Sequence, residues 1–453
     1  MQKPKIVRDK EFYKLLLTIA LPVTAQNLVV FFTQMVDTIM LGKLGDVAIS
    51  ASTLANQPFF IFNLLTFGLS GGAAVLTAQY WGKKEIYPIK VILTSVIKVA
   101  MVVGFILTIV ILMIPEQIMT IYTKDPTVIA AGVDYLRIIA YCYLFFGFTN
   151  TFYCTIRSVQ IIKIAVISNI VALVTNVVLN YALIFGHFGF PALGVKGAAI
   201  ATLIARLVEF VIAVIYMLFF DKRLQIKIKD FFHFDKVLIK DLLKISTPVV
   251  LNEVMWSLGV SMQAALLGNL GKEAVAANSI ISVVQQLSTV VVFGVASAAA
   301  VTIGKAIGEG DMQKARDRGH TFKLISIVFG VAVFAVIFFA RNIAIDYYNV
   351  TQATKDLAHQ MILVAAVIGF FVSISGIGIV GILRGGGDTK FSLMAEMVTL
   401  WGIAIPLAYF VAFVLHWPVP LVFLVMKLDE PAKNVLCFIR MRGTRWLNNV
   451  TRD

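Results

Sequence analysis

The stretch VILTSVIKVAMVVGFILTIVILMI, residues 91–114, is apolar apart from Lys98 and a few hydroxyl groups. An α-helix needs about 20 such residues to cross the hydrocarbon core of a bilayer, and this stretch is long enough. A second stretch, ISNIVALVTNVVLNYALIFG at residues 167–186, is long enough as well. Runs of this length recur too often for the buried helices of a water-soluble domain. We therefore interpret them as transmembrane helices.

The composition of the 453-residue chain supports this interpretation. Apolar residues make up 59% and charged residues 14%. A soluble globular domain carries about 25% charged residues and cannot bury so much apolar surface. The apolar runs predict an all-α integral membrane protein with twelve transmembrane helices, at residues 15–41, 51–80, 91–114, 129–156, 164–186, 195–220, 241–267, 274–304, 322–340, 355–383, 391–415 and 417–439.

The twelfth predicted span is unusual because charged residues follow its apolar half. The run PVPLVFLVM, residues 418–426, precedes Lys427, Asp429, Glu430 and Lys433. Lipid solvates such charges poorly, so we expect this segment to pack against protein or to end early.

The distribution of basic residues indicates how the chain lies in the membrane. The formal net charge of +14 could by itself indicate a nucleic-acid partner. Most of the 39 Lys and Arg residues, however, fall in alternate loops, including the segments 221–244 and 305–323. By the positive-inside rule, these loops and both termini lie on the cytoplasmic side of the cell (inner) membrane. We therefore expect the lipid bilayer, and no nucleic acid, as a partner.

The two halves of the chain resemble each other. Without gaps, LLLTIALPV at residues 15–23 aligns with DLLKISTPV at 241–249, and LGKLGDVAISA at 41–51 aligns with LGNLGKEAVAA at 267–277. The shared positions include Pro22 with Pro248, Gly42 with Gly268 and Gly45 with Gly271, and the special backbone properties of Pro and Gly are hard to replace. The sequence therefore contains an internal repeat.

The repeat predicts the domain organisation. Each half contains six predicted spans and starts in the cytoplasm, so the halves share one orientation, as in transporters built from parallel repeats. We predict two pseudo-symmetric six-helix bundles. The N-terminal lobe comprises residues 1–220, a cytoplasmic linker residues 221–240, and the C-terminal lobe residues 241–453.

Four polar residues lie inside predicted spans of the first half, at depths of about 6 to 14 Å from the outer surface. They are Asp37 on the first span, Asn176 and Asn180 on one face of the fifth, and Thr202 on the sixth. Their oxygens suit a small hard cation. Burial penalises a charged carboxylate and a bound cation favours it, so Asp37 could couple ion entry to a change of shape. The alternative is that Asp37 reaches the interface and is merely solvated.

Glu253, near the middle of the seventh span, is the second candidate. Three interpretations are open: a second cation site, a contact for a cationic substrate, or a hydrogen bond across helices near the kink at Pro248. On the sixth span, Arg206 and Glu209 are three residues apart on one helix face, and we expect them to pair.

The sequence contains no recognisable catalytic set. Its five histidines are dispersed without the spacing of a metal site. The glycine-rich LRGGGDTKF, residues 383–391, lacks the strand and helix context of a phosphate-binding loop. We therefore expect that the protein is not an enzyme and needs no cofactor. We also expect that an ion gradient supplies the energy.

Several motifs, in this order and spacing, resemble those of the MATE family of multidrug and toxin extrusion proteins. They are MVDTIMLGKLG (35–45), NVVLNYALIFG (176–186), GVKGAAIAT (194–202), LGNLG (267–271), LRGGGDTK (383–390) and MKLDEP (426–431). The resemblance covers essentially the whole chain. It implies twelve helices in two V-shaped bundles around a central cavity. It also implies export of organic cations and other amphipathic compounds in exchange for Na+ or H+.

The resemblance also implies roles for particular residues. The first-lobe cation site of the family falls on Asp37, Asn176, Asn180 and Thr202. Many bacterial relatives have Asp where this chain has Asn180, so a single carboxylate remains and the identity of the coupling ion is open. Glu253 resembles an acidic position that other branches use in the second lobe, as a coupling residue or substrate contact.

A different class of function is a flippase for lipid-linked saccharides, which related folds also perform. Such a flippase is expected to line its cavity with cationic side chains for phosphates. Here the intramembrane basic residues are few. We therefore favour an antiporter of drug-like small molecules, and we expect it to be a monomer.

Overall fold

The structure is a computed structural model that describes residues 3–348 and 350–452. These residues are mostly helical and include no strand. The first half contains α1 (Lys10–Gly42), α2 (Asp46–Ala55), α3 (Gln57–Lys83), α4 (Ile86–Met113), α5 (Pro115–Tyr122), α6 (Pro126–Ile139), α7 (Cys142–Ser158), α8 (Lys163–Phe185) and α9 (Val195–Ile215). The second half contains α10 (Lys236–Asn269), α11 (Lys272–Gly308), α12 (Met312–Asp346), α13 (Gln352–Ser375), α14 (Thr389–Glu396), α15 (Ile405–Phe413), α16 (Val419–Met426) and α17 (Asp429–Arg442).

Ten helical segments of the described chain are long and apolar enough to cross a membrane. The pair α6 and α7, between which the chain bends by 55°, makes an eleventh when it is counted as one span. These segments coincide with the first eleven predicted spans. The predicted twelfth span, 417–439, is broken into α16 and α17 at Lys427 and Leu428. The predicted all-α fold is thus confirmed, and the number of helices agrees with it when this broken pair is included.

The chain forms two compact units. We call the one formed by Ala25–Thr77 and Glu85–Leu243 the N-terminal unit. The C-terminal unit comprises the residues up to Thr24, Ala78–Lys84, and the chain from Lys244 onward. This division groups residues that contact one another in the folded protein. The division predicted from the repeat, into 1–220, 221–240 and 241–453, follows sequence similarity and stays a prediction.

Aromatic side chains form part of the core of the N-terminal unit. Phe62 of α3 and Tyr143 of α7 are fully buried, and their ring centroids are 5.3 Å apart. Gly104 lies where α4 approaches α7, and a Cβ there would come within 2.9 Å of the Tyr143 carbonyl oxygen. A small residue therefore allows these two helices to approach closely, as is common between transmembrane helices.

A second close approach joins α8 and α9. Gly186 ends α8 with a φ of 76°, a left-handed conformation that favours glycine. Gly197, in the first turn of α9, lies against the end of α8, and a Cβ at this position would be 2.5 Å from the carbonyl oxygen of Leu183. The absence of a side chain at Gly197 therefore lets the polar faces of α8 and α9 meet.

In the C-terminal unit, several helices are irregular. α13 continues into a π-helical segment, Gly376–Leu383, and α14 continues into another, Met397–Ala404. α10 contains Pro248 in its interior. Because π-helical turns and interior prolines interrupt the regular hydrogen-bond ladder, they are frequent at functional positions.

Candidate functional site

Asp37 lies near the C-terminal end of α1 and contacts α8. The Asn180 side chain donates a hydrogen bond from Nδ2 to Asp37 Oδ1. Asn180 is fully buried, whereas Asp37 is partly buried. A buried amide therefore holds the Asp37 carboxylate, and the predicted role of Asp37 in ion coupling stays a prediction.

The other two predicted residues extend this contact into a chain of hydrogen bonds. Asn180 Nδ2 also donates to Asn176 Oδ1 at 3.1 Å, and Asn176 Nδ2 donates to Thr202 Oγ1 at 3.4 Å. Three helices contribute: α1, α8 and α9. The structure thus brings all four residues of the predicted first site together, although nothing in it tests their role.

One oxygen of this group is left without a donor. Asn180 Oδ1 is buried and has no hydrogen-bond partner among the described residues, and leaving such an acceptor unpaired costs about 1–3 kcal/mol. A cavity of about 70 Å³ is lined by Asp37, Asn176 and Thr202. Carboxylate, amide and hydroxyl oxygens beside a small cavity are suitable ligands for a proton or a small hard cation.

Arg206 lines the same cavity, one helical turn after Thr202. Its Nη1 is 2.8 Å from Glu209 Oε2, so the predicted pairing of these two residues is present. The guanidinium also lies 5.2 Å from the centre of the Phe146 ring. Sequence analysis did not assign Arg206 to the site. Its spacing of four residues from Thr202, which places both side chains on one helix face, could have shown this.

Glu253 has a different environment, within the C-terminal unit. Its Oε1 is 2.8 Å from Arg384 Nη1, and both side chains are largely buried. Arg384 also donates to Asn252 Oδ1. Of the three interpretations, a polar contact across helices is the one that the structure shows. The partner is an arginine of the LRGGGDTKF segment, which sequence analysis did not connect with Glu253.

Of the charged residues after α16, Asp429 and Lys433 are buried and Lys427 and Glu430 are partly buried in the C-terminal unit, in agreement with the expectation that this segment packs against protein. Lys433 contacts the carboxylates of Glu396, Asp429 and Glu430 at 2.8 to 3.1 Å. Sequence analysis did not find this cluster, because Glu396 is distant from the others along the chain. In residues 3–348 and 350–452, no three His, Cys, Asp or Glu side chains form a group that could hold a metal ion.

The fold matches solved structures of membrane transporters. A eukaryotic MATE transporter, AtDTX14, superposes with a TM-score of 0.84 over 96% of this chain and 97% of that chain, at 20% identity. A MOP superfamily transporter from Pyrococcus furiosus superposes with a TM-score of 0.86 over 97% of this chain and 98% of that one, at 19% identity. These similarities establish the fold.

The sequence of the chain establishes the family. The family model described as MatE matches residues 22–182 and 248–410, so it matches twice, starting at the prolines that the internal repeat aligns. The chain therefore belongs to the MatE family of multi-span membrane transporters, and it is not an enzyme. The resemblance found in the sequence is confirmed.

Curated relatives match over nearly their whole length. The probable multidrug resistance protein NorM of Thermotoga maritima is 26% identical over 407 residues, covering 88% of this chain and 85% of that protein. The probable multidrug resistance protein YoeA of Bacillus subtilis is 23% identical over 419 residues, covering 90% and 87%.

Proposed function

We propose that this chain is a secondary active efflux transporter. It exports organic cations or amphipathic drug-like compounds by alternating access, in antiport with Na+ or H+. The hydrogen-bonded chain of Asp37, Asn180, Asn176 and Thr202 beside one small cavity is the observation that carries this proposal. The names of the relatives as multidrug resistance proteins support the substrate class.

Asp37 is the residue that couples the ion to transport in this proposal. Without a bound proton or cation, the Asp37 carboxylate is charged and accepts a hydrogen bond from the Asn180 amide. With a bound proton or Na+, the group and its ion together are neutral. This difference changes the free energy of any conformation that exposes or buries the site. Asn180 Oδ1, which lacks a donor within the described chain, is available as an additional oxygen ligand.

The proposed orientation follows the distribution of basic residues. Both termini lie in the cytoplasm, and the protein is a monomer in the cell membrane. With this orientation, the Asp37 end of α1 faces the outer leaflet. Ions that enter from outside therefore reach Asp37 without first crossing the membrane.

The flippase alternative receives less support from the side chains. Phosphate recognition needs cationic groups that are free to bind. The buried or partly buried basic residues Arg206, Arg384 and Lys433 each contact at least one carboxylate, and Lys427 donates to Gln263 Oε1. These four cations are already engaged within the protein.

The test is ethidium efflux from vesicles that contain the purified protein, driven by an imposed Na+ gradient or an imposed pH gradient. We expect one gradient to drive efflux in the wild type. In Asp37→Asn, efflux should fall to the level of vesicles without protein, while the variant still inserts and remains monodisperse.

Asp134→Asn is the matched control, because Asp134 lies in the same unit, is half-exposed, and pairs with Lys196 at 3.2 Å outside the cavity. It should transport like the wild type. Normal gradient-driven efflux by Asp37→Asn would refute the role of Asp37. Efflux that neither gradient drives would refute antiport.

A further inference from the structure

Three helix interruptions in the C-terminal unit each carry a residue of one polar cluster. The first π-helical segment begins directly after Ser375, the second directly after Glu396, and Lys427 lies at the break between α16 and α17. Ser375 donates a hydrogen bond to Glu430 of α17. In transporters, interrupted helices often surround ion-binding sites. At an interruption, backbone groups that are not paired in the regular hydrogen-bond ladder can contact the ion.

Lys433 lies at the centre of this cluster. Its Nζ is 2.8 Å from Asp429, 3.0 Å from Glu396 and 3.1 Å from Glu430. Lys433 is only 3% exposed, so bulk water does not screen these charges. One buried ammonium therefore faces three carboxyl groups.

The charges of the cluster do not balance when all three carboxyl groups are ionised. Lys427, which donates to Gln263 at 2.7 Å, supplies a second positive charge at the break. Cys437, one turn after Lys433, is a further titratable side chain beside the cluster. Two lysines thus face three acids, and buried carboxylates in excess of their cations are costly.

The surroundings of each acid indicate which one is least stabilised as a carboxylate. Asp429 and Glu430 lie in the first turn of α17, where the helix N-terminus favours negative charge. Glu430 also accepts the hydrogen bond from Ser375. Glu396 is 4% exposed, and within the described chain its polar contact is with Lys433 alone. Glu396 is therefore the acid with the least support for a charge.

A route for exchange leads from the cluster to a cavity of about 180 Å³. Asp429 and Glu430 line this cavity together with Lys427 and Gln263. Asp429 is 4% exposed, and its Oδ1 has no hydrogen-bond partner among the residues that the structure describes. Its other oxygen contacts the Lys433 ammonium, which also contacts Glu396. The Lys433 ammonium therefore lies between Asp429 and Glu396.

We propose that the C-terminal unit contains a proton-binding site at Glu396, exchanging through Asp429 with the cavity beside the α16–α17 break. The ligand is a proton because Lys433 already occupies the space among the three carboxyl groups. When the proton is bound, two lysines balance two carboxylates. The site is separate from Asp37 and does not rest on the proposed transport function.

Infrared spectroscopy of the purified full-length protein in nanodiscs tests this site directly. At neutral pH we expect the carbonyl stretch of a protonated carboxylic acid, which shifts in D2O. The band should persist in Asp37→Asn and be lost in Glu396→Gln. In the matched control Glu253→Gln/Arg384→Met, which removes a buried ion pair and leaves no unpaired charge, the band should persist.

A second variant keeps the test decisive if Glu396→Gln does not fold. In Asp429→Asn two lysines face two acids, so Glu396 should ionise and the band should disappear although Glu396 is still present. A band that survives both Glu396→Gln and Asp429→Asn would overturn the proposal. So would the absence of any band in the wild type, or binding of one ²²Na+ per protein that is lost in Glu396→Gln.

These spectra are independent of the transport proposal. If Asp37→Asn transported normally, the role of Asp37 in coupling would fail, but the band and its dependence on Glu396 would be unaffected. Conversely, loss of the band in Asp37→Asn alone would assign the proton to the N-terminal unit and refute the site at Glu396.

Discussion

Gln263 Oε1 accepts a hydrogen bond from the Lys427 ammonium at 2.7 Å, while Gln263 Nε2 donates to the Met426 carbonyl at 2.8 Å. In the internal repeat, Gln263 occupies the position that Asp37 has in the first half. Asp37 is a carboxylate held by a buried amide, whereas Gln263 holds the broken end of α16. The repeat thus retains the backbone but gives this one position two different chemical roles.

Gln263→Leu should destabilise the protein without touching the Asp37 site. The variant leaves the Lys427 ammonium and the Met426 carbonyl without this partner, and a buried polar group left unpaired costs about 1–3 kcal/mol. Thermal unfolding in detergent would show a lowered midpoint. Gln263→Glu, which offers Lys427 a carboxylate, should retain most of the stability. Equal losses in both variants would contradict the pairing.

Much of the fold could be predicted from the sequence because lipid imposes a simple rule on long apolar runs. All the predicted spans up to residue 415 correspond to helical segments. The break at Lys427 and Leu428 could not be located in this way. The contacts of Lys427 with Gln263 and of Lys433 with Glu396 join residues that are distant in sequence, so they are known only from the fold.

The same distinction applies to the sites. The pair Arg206 and Glu209 could be predicted because three residues along a helix place both side chains on one face. The pair of Glu253 and Arg384 could not, because it depends on how α10 meets the segment that follows α13. Local spacing predicts local contacts, whereas buried ion pairs between distant helices require the tertiary structure.

Glu253→Gln should lower stability strongly. It leaves the buried Arg384 guanidinium without its carboxylate, and removing one partner of a buried ion pair costs about 3–5 kcal/mol. The double variant Glu253→Gln/Arg384→Met should recover much of this loss, because no buried charge remains. Thermal unfolding of the single and double variants gives the measurement. A single variant with unchanged stability but no efflux would instead indicate a direct role in transport.

Gly197→Val should disrupt the contact between α8 and α9. The new Cβ would lie 2.5 Å from the Leu183 carbonyl oxygen, so the helices must separate, at a cost of about 1–3 kcal/mol for overpacking. Separation also moves Thr202 away from Asn176. Efflux should therefore fall more than the loss of stability alone explains. Gly268→Ala is the control, because a Cβ there meets no atom of the described residues within 4 Å. Wild-type efflux by Gly197→Val would contradict this account.

Asn180→Asp should strengthen the binding of the coupling ion. Asn180 now donates to Asp37, and the variant replaces that donor with a second carboxylate that has no proton to give. Two adjacent carboxylates repel each other unless a cation or a proton lies between them. We expect apparent Na+ affinity to rise about tenfold, equivalent to about 1.4 kcal/mol, if Na+ is the coupling ion. If the proton is the coupling ion, half-maximal efflux should move to higher pH, because the pair holds its proton more tightly.

Asn169→Asp provides the matched control for this substitution. Asn169 lines the same cavity but donates to the Ala165 carbonyl oxygen, so the added charge lies beside the site without joining the Asp37 chain. Ion dependence of ethidium efflux, measured across Na+ concentration and across pH, should change in Asn180→Asp and much less in Asn169→Asp. Equal changes in both would mean that the general charge of the cavity, and not the contact between residues 37 and 180, determines ion binding.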